Sequence, residues 1–190
     1  MSLLDPFSED EKTLLVSLPY KAGLWVSLSD EKGQGTARAR ELKTIEAVIA
    51  RLSEGQFASA FAHEVVAQTY ARREEWPSWS LQTGVVPDEA RRAVTLVASQ
   101  LMPHDAEAYV QMIMNIAYET AYAYREFDQS LSIPIRFWVS LKLLWEAFIR
   151  TGNRDYRIES VANISLAEDE AIAVLASALH IETGETIADL

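Results

Sequence analysis

The chain contains no cysteine, which excludes disulfides and thiolate metal sites. Glycine and proline are scarce, 7 and 6 in 190 residues, which argues against long flexible linkers and against a many-turned β fold. Basic residues are outnumbered, 17 Lys and Arg against 28 Asp and Glu, for a formal net charge of −11 and a pI near 4.7. A protein that grips a nucleic-acid duplex needs a cationic face to displace counterions from phosphates. No basic cluster stands out here, so no nucleic-acid partner is expected. No apolar run approaches the roughly 20 residues needed to cross a bilayer, so no membrane span is expected. The opening MSLLDPFSEDEK lacks the basic region and apolar core of a signal peptide. Together with the missing cysteines, this makes a cytoplasmic location the expectation. No segment alternates polar and apolar residues as a half-buried strand does.

What is present is helical pattern, backed by 49% hydrophobic residues, enough for a substantial core. The expected architecture is all-α: one domain over residues 1–190, a bundle of seven or eight helices, with 182–190 as a frayed tail. Ser8-Glu9-Asp10-Glu11 has the spacing of a capping box and opens a helix that Pro19 interrupts or kinks. A second run through Tyr20, Leu24, Trp25 and Leu28 stops at SDEKGQG. The next helix, 36–52, offers Leu42, Ile45, Ile49 and Leu52 as its apolar stripe. Another, 57–73, turns Phe57, Phe61 and Val65 inward. Its His63-Glu64 pair lacks the second histidine of a zinc motif, because position 67 is Ala. Trp76-Pro77-Ser78-Trp79 reads as a turn pinned by aromatic anchors. Pro87 opens a helix whose stripe is Val94, Val97, Ala98 and Leu101. Pro134 opens a strongly aromatic helix to about 151, and Ser165 with Glu168 forms a second capping box before the last helix, with Ile172, Leu175, Ala176 and Leu179 inward.

The longest pattern is PHDAEAYVQMIMNIAYETAYAYREF, residues 103–127. Tyr109, Ile113, Ile116, Ala117, Thr120, Ala121 and Tyr124 share one stripe, and Asn115, Tyr118, Glu119 and Tyr122 form a second row. A helix apolar on most sides belongs in the middle of a bundle. Glu119 there needs a partner on a neighbouring helix, or else it faces a functional cleft.

Two stretches share a plan. Residues 18–52 run helix, acidic break, helix opening with Glu41. Residues 115–128 followed by 164–181 repeat it, with another helix inserted, so the pairs can pack about a pseudo-twofold axis. The arrangement resembles the TerB-like family, named for tellurite-resistance proteins. The resemblance rests on Ser29-Asp30 followed by Glu41, and on 165–181 with its Ala178-Leu179-His180-Ile181 close. The family's Asp-Gly dipeptide is absent: Glu31-Lys32 separates Asp30 from Gly33, and the inserted helix separates Asp128 from Glu168. The resemblance implies an all-helical fold and a divalent-cation site at Asp30, Glu41, Asp128 and Glu168. Hard cations do take several carboxylate oxygens at helix ends; the alternative is that these acids only cap helices.

Function follows from the same residues. The first reading is a helical interaction or stress-response module that binds a divalent cation. The alternatives are a hydrolase whose carboxylates hold a water-activating metal, and a small-molecule-binding domain lined by Tyr118, Tyr122, Trp138 and Trp145. The aromatic surface of 134–151 is either core or the contact with a protein partner or second copy.

Overall fold

The computed structural model describes residues 2–29, 36–55, 59–126 and 166–180. Among these residues there are seven α-helices and no strand, an all-helical bundle as expected. They are α1 (Glu9–Leu28), α2 (Thr36–Ser53), α3 (Ala60–Ala71), α4 (Trp76–Trp79), α5 (Val86–Gln100), α6 (Pro103–Glu126) and α7 (Leu166–Ala178). No helix among them is long and apolar enough to cross a membrane.

The Ser8 capping box forms in full. Glu11 N–H donates to Ser8 Oγ at 3.4 Å, and Ser8 N–H donates back to Glu11 Oε2 at 2.8 Å. Those bonds, from the Ser8 backbone first and its hydroxyl second, hold the Glu11 carboxyl below its ordinary pKa. Upstream, Leu4 and Phe7 are buried, and Phe7 meets the Phe61 ring at 5.9 Å. Glu64 ties this segment down by accepting from Ser2 Oγ and, at 2.8 Å, from Leu3 N–H.

Pro19 does not end α1. The helix runs unbroken across it, and Leu15 to Leu24 is buried without a gap. A proline inside a helix removes the N–H that the carbonyl four residues earlier would accept. That carbonyl belongs to Leu15, and it is satisfied from outside: Tyr109 Oη on α6 donates to it at 3.1 Å. One residue on, Val16 O accepts from Thr69 Oγ1 of α3 at 2.7 Å. Tertiary donors thus overcome the local tendency to break. Burial, assisted by the nearby Glu89 carboxylate, pushes the Tyr109 phenol well up, so it stays a protonated donor.

α1 and α6 run parallel as a central pair. Tyr109 lies beside Leu15, and farther along both helices Ile116 and Thr120 lie over Gly23. Each of the two packs on α2, α3, α5 and α7, while α2 packs on α3 and α5 on α7. This set of principal partners is unchanged when α1 is exchanged with α6, α2 with α7 and α3 with α5. Beside the pair, the Trp76 ring of α4 stacks on Tyr20 at 4.4 Å and donates its indole N–H to Thr69 O at 3.1 Å. Both Trp76 and Trp79 are buried, so the WPSW turn is an anchor.

Three expectations need correction in detail. Leu42 is exposed, and α2 buries Glu41, Thr44, Ile45, Val48 and Ile49 instead. In α5, Ala90 and Ala93 replace the exposed Ala98 on the inward face. α3 starts at Ala60 behind a Ser59 cap that accepts from Phe61 and Ala62 N–H. Phe57, Ser165, the helix expected over 134–151 and the tail 182–190 lie outside the described residues.

The Pro19 arrangement makes a coupled prediction. Tyr109→Phe should lower stability in urea unfolding by about 1–3 kcal/mol, the cost of an orphaned buried carbonyl. In a Pro19→Ala background the helix regains its own N–H donor, so the same substitution should cost less. Equal costs in both backgrounds would refute the link.

Candidate functional site

The helix-pair repeat becomes residue-specific once the fold is known. Aligning Asp30 with Asp128 places LLVSLPYKAG (14–23) over MIMNIAYETA (112–121). Tyr20 falls on Tyr118, Lys21 on Glu119 and Gly23 on Ala121. In the second helices, Glu41 falls on Glu168, and the alignment then matches exposure along both. Ile45 with Ile172 and Val48 with Leu175 are buried; Lys43 with Glu170, Glu46 with Ala173 and Ala47 with Val174 are exposed. The match fails at Leu42 with Asp169 and at every pair from Ile49 with Ala176 onward, most sharply at exposed Arg51 against buried Ala178.

Glu41 and Glu168 are each 3% exposed. Both have partners within the protein. Glu168 stands with Asp169 in the first turn of α7, where the helix dipole favours negative charge. Asp30 and Asp128, expected beside them, lie outside the described residues, as do Trp138 and Trp145. Among the described residues no three His, Cys, Asp or Glu side chains gather into a metal-binding group.

Two members of the expected row on α6 face different neighbours. Tyr118 is largely buried, and that burial pushes its phenol up to about 12, with the Asp169 carboxylate of α7 adding to the rise. Glu119 faces α2, where the Arg51 guanidinium meets its Oε2 as an ion pair. Beyond that ion pair, neither carboxylate oxygen makes a hydrogen bond among the described residues. Thr120, in the buried stripe, faces α1: its Oγ1 lies 3.1 Å from where a Gly23 Cβ would stand. A Cβ at position 23 would crowd Thr120 and Ile116, at 3.1 and 3.2 Å, and would meet Ile45 of α2 in ordinary contact at 3.5 Å. Tyr122 follows one turn later on α6.

The charges at the repeated position have opposite signs and separate partners. Lys21 reaches α5 and donates to both Glu89 oxygens, at 2.8 and 3.0 Å, in a pair largely removed from solvent. Glu119 reaches α2. No protein-family model, curated protein or solved structure matches this chain.

Sequence reasoning missed Arg51 and Gly23 as members of this region. Arg51 reads as an ordinary basic residue near a helix end. The available signal was the alignment of Lys21 with Glu119, which marks a charged position on two otherwise apolar helices.

The raised Tyr118 pKa sets a pH dependence. A phenol whose folded pKa exceeds its unfolded value, about 10, contributes stability that is whole below pH 10. That contribution is lost as pH rises through the folded value of about 12. Thermal unfolding between pH 9 and 12 should therefore show a falling Tm, and Tyr118→Phe should flatten the decline. An unchanged profile in the variant would rule out Tyr118 as its source.

Proposed function

We propose that this chain is a TerB-like helical binding module that holds a divalent cation at the acidic ends of its two helix pairs, α1 with α2 and α6 with α7. One observation carries the reading: Glu41 and Glu168 occupy equivalent positions in the repeat and are both almost wholly buried. Burying a carboxylate costs free energy; Glu41 and Glu168 both have partners within the protein, and a cation would add to those partners at the same place in each half. Asp30 and Asp128 precede these acids in the two copies of the sequence pattern and would supply further oxygen ligands of the kind hard cations take. The bound ion would bridge the two helices of each pair, at Glu168 in the first turn of α7 and at Glu41 in the second turn of α2.

Calorimetric titration with Ca²⁺, Mg²⁺, Mn²⁺ and Zn²⁺ tests this reading. At least one ion should bind the unmodified protein. Glu41→Gln and Glu168→Gln keep side-chain shape and should each lower affinity about tenfold or more, equivalent to about 1.4 kcal/mol. Absence of binding to the unmodified protein overturns the proposal, and so does binding that neither substitution weakens.

A further inference from the structure

Residues 2–7 precede α1 and lie against α3. Leu4 and Phe7 of this segment are buried, whereas Leu3, Asp5 and Pro6 are exposed. The segment pairs much of its own backbone. Asp5 N–H donates to Ser2 O at 3.2 Å, and Phe7 N–H donates to Leu4 O at 3.1 Å. Leu4 N–H donates to Ser2 Oγ and Ser2 N–H to Asp5 Oδ2, each at 3.1 Å. It is a small turn closed by its own bonds.

Its hold on the bundle is of two kinds. The Phe7 ring meets Phe61 of α3 at 5.9 Å, and Leu4 is buried three residues earlier. Glu64, one helical turn beyond Phe61, accepts Ser2 Oγ on one carboxylate oxygen and Leu3 N–H, at 2.8 Å, on the other. The start of α1 does not depend on the segment, because Ser8 and Glu11 complete that cap between themselves.

We infer that residues 2–7 form a displaceable lid over Phe61, with Glu64 as its latch. Two buried side chains and one carboxylate must offset the ordering of the whole segment, so opening it costs far less than unfolding the bundle. The turn carries its own backbone bonds and can swing away intact. Leu3 N–H, released from Glu64, meets water at once, because Leu3 is already exposed. The cap of α1 stays behind at Ser8 and marks the hinge. Opening bares the Phe61 ring, which is 2% exposed under the closed lid. The other face of that ring leads to Tyr109, at 5.9 Å, the phenol that donates to Leu15 O. Both Glu64 oxygens accept in the closed state, which suits a carboxylate; an amide has a single accepting oxygen. The lid uses none of the acids of the cation reading and stands independently of it.

Thiol labelling in increasing urea tests the lid, and the chain has no cysteine of its own to compete. Leu4→Cys should react with a maleimide faster than Ile113→Cys, whose fully buried position on α6 reports opening of the whole fold. Labelling at position 4 should depend only weakly on urea and labelling at position 113 steeply, because the slope follows the surface exposed. Glu64→Gln should accelerate labelling at position 4 about tenfold, the effect of losing a hydrogen bond to a charged group. Hydrogen exchange over residues 2–7, in the unmodified protein and in Glu64→Gln, gives the same comparison if Leu4→Cys folds poorly. A urea dependence at position 4 as steep as that at 113 overturns the proposal, because the segment then opens only with the whole fold. Opening of the segment that Glu64→Gln fails to accelerate overturns it as well, because the carboxylate is then no latch.

Discussion

A buried helix with a proline at its centre needs donors that it cannot supply itself. In α1, Pro19 leaves Leu15 O without its helical N–H, and burial denies that carbonyl water. Tyr109 of α6 donates to it, and Thr69 of α3 donates to the neighbouring Val16 O. These bonds set the register of three helices. With Tyr109 held at Leu15, the rest of α6 runs beside α1 so that Thr120 meets Gly23. Tyr118 and Glu119, the residues just before it, then point to α7 and α2. The same phenol that completes the backbone of α1 thus aims the chemically richer end of α6.

Two copies of one pattern make the central pair, but they differ in charge. Lys21 and Glu119 occupy the same place on parallel helices, and each finds an opposite charge on a different flanking helix. Buried ion pairs add little net stability once desolvation is counted, yet losing one member is expensive. Their effect here is to distinguish the halves: Lys21 holds α5, and Glu119 holds α2. The Lys21 pair is enclosed and doubly hydrogen-bonded, whereas the arginine of the Glu119 pair is 58% exposed. The first suits a fixed strut.

Much of the fold was legible in the sequence because helix periodicity and caps are local. The Ser8 capping box, the inward faces of α6 and α7, and the anchoring role of Trp76 and Trp79 follow from residue type and spacing. Pro19 misled as a local signal, because the donors that rescue α1 come from residues 69 and 109. Leu42 misled for a related reason: an apolar residue on a helical stripe was assigned inward, but the turn of α2 toward α6 buries Glu41 and Thr44. An acid in a helix reads as exposed unless its neighbours are known, so the burial of Glu41 and Glu168 carried no sequence signal of its own.

By itself, then, the sequence determined the helical class, most apolar faces and the existence of two related helix pairs, all properties of periods of three and four residues. Tertiary structure decided that α1 and α6 lie parallel, that Glu119 meets Arg51, and that Thr120 lies against Gly23. Those facts depend on how close two helix axes can come. At this crossing the approach is set by a glycine on one helix and by a carbonyl that had lost its donor.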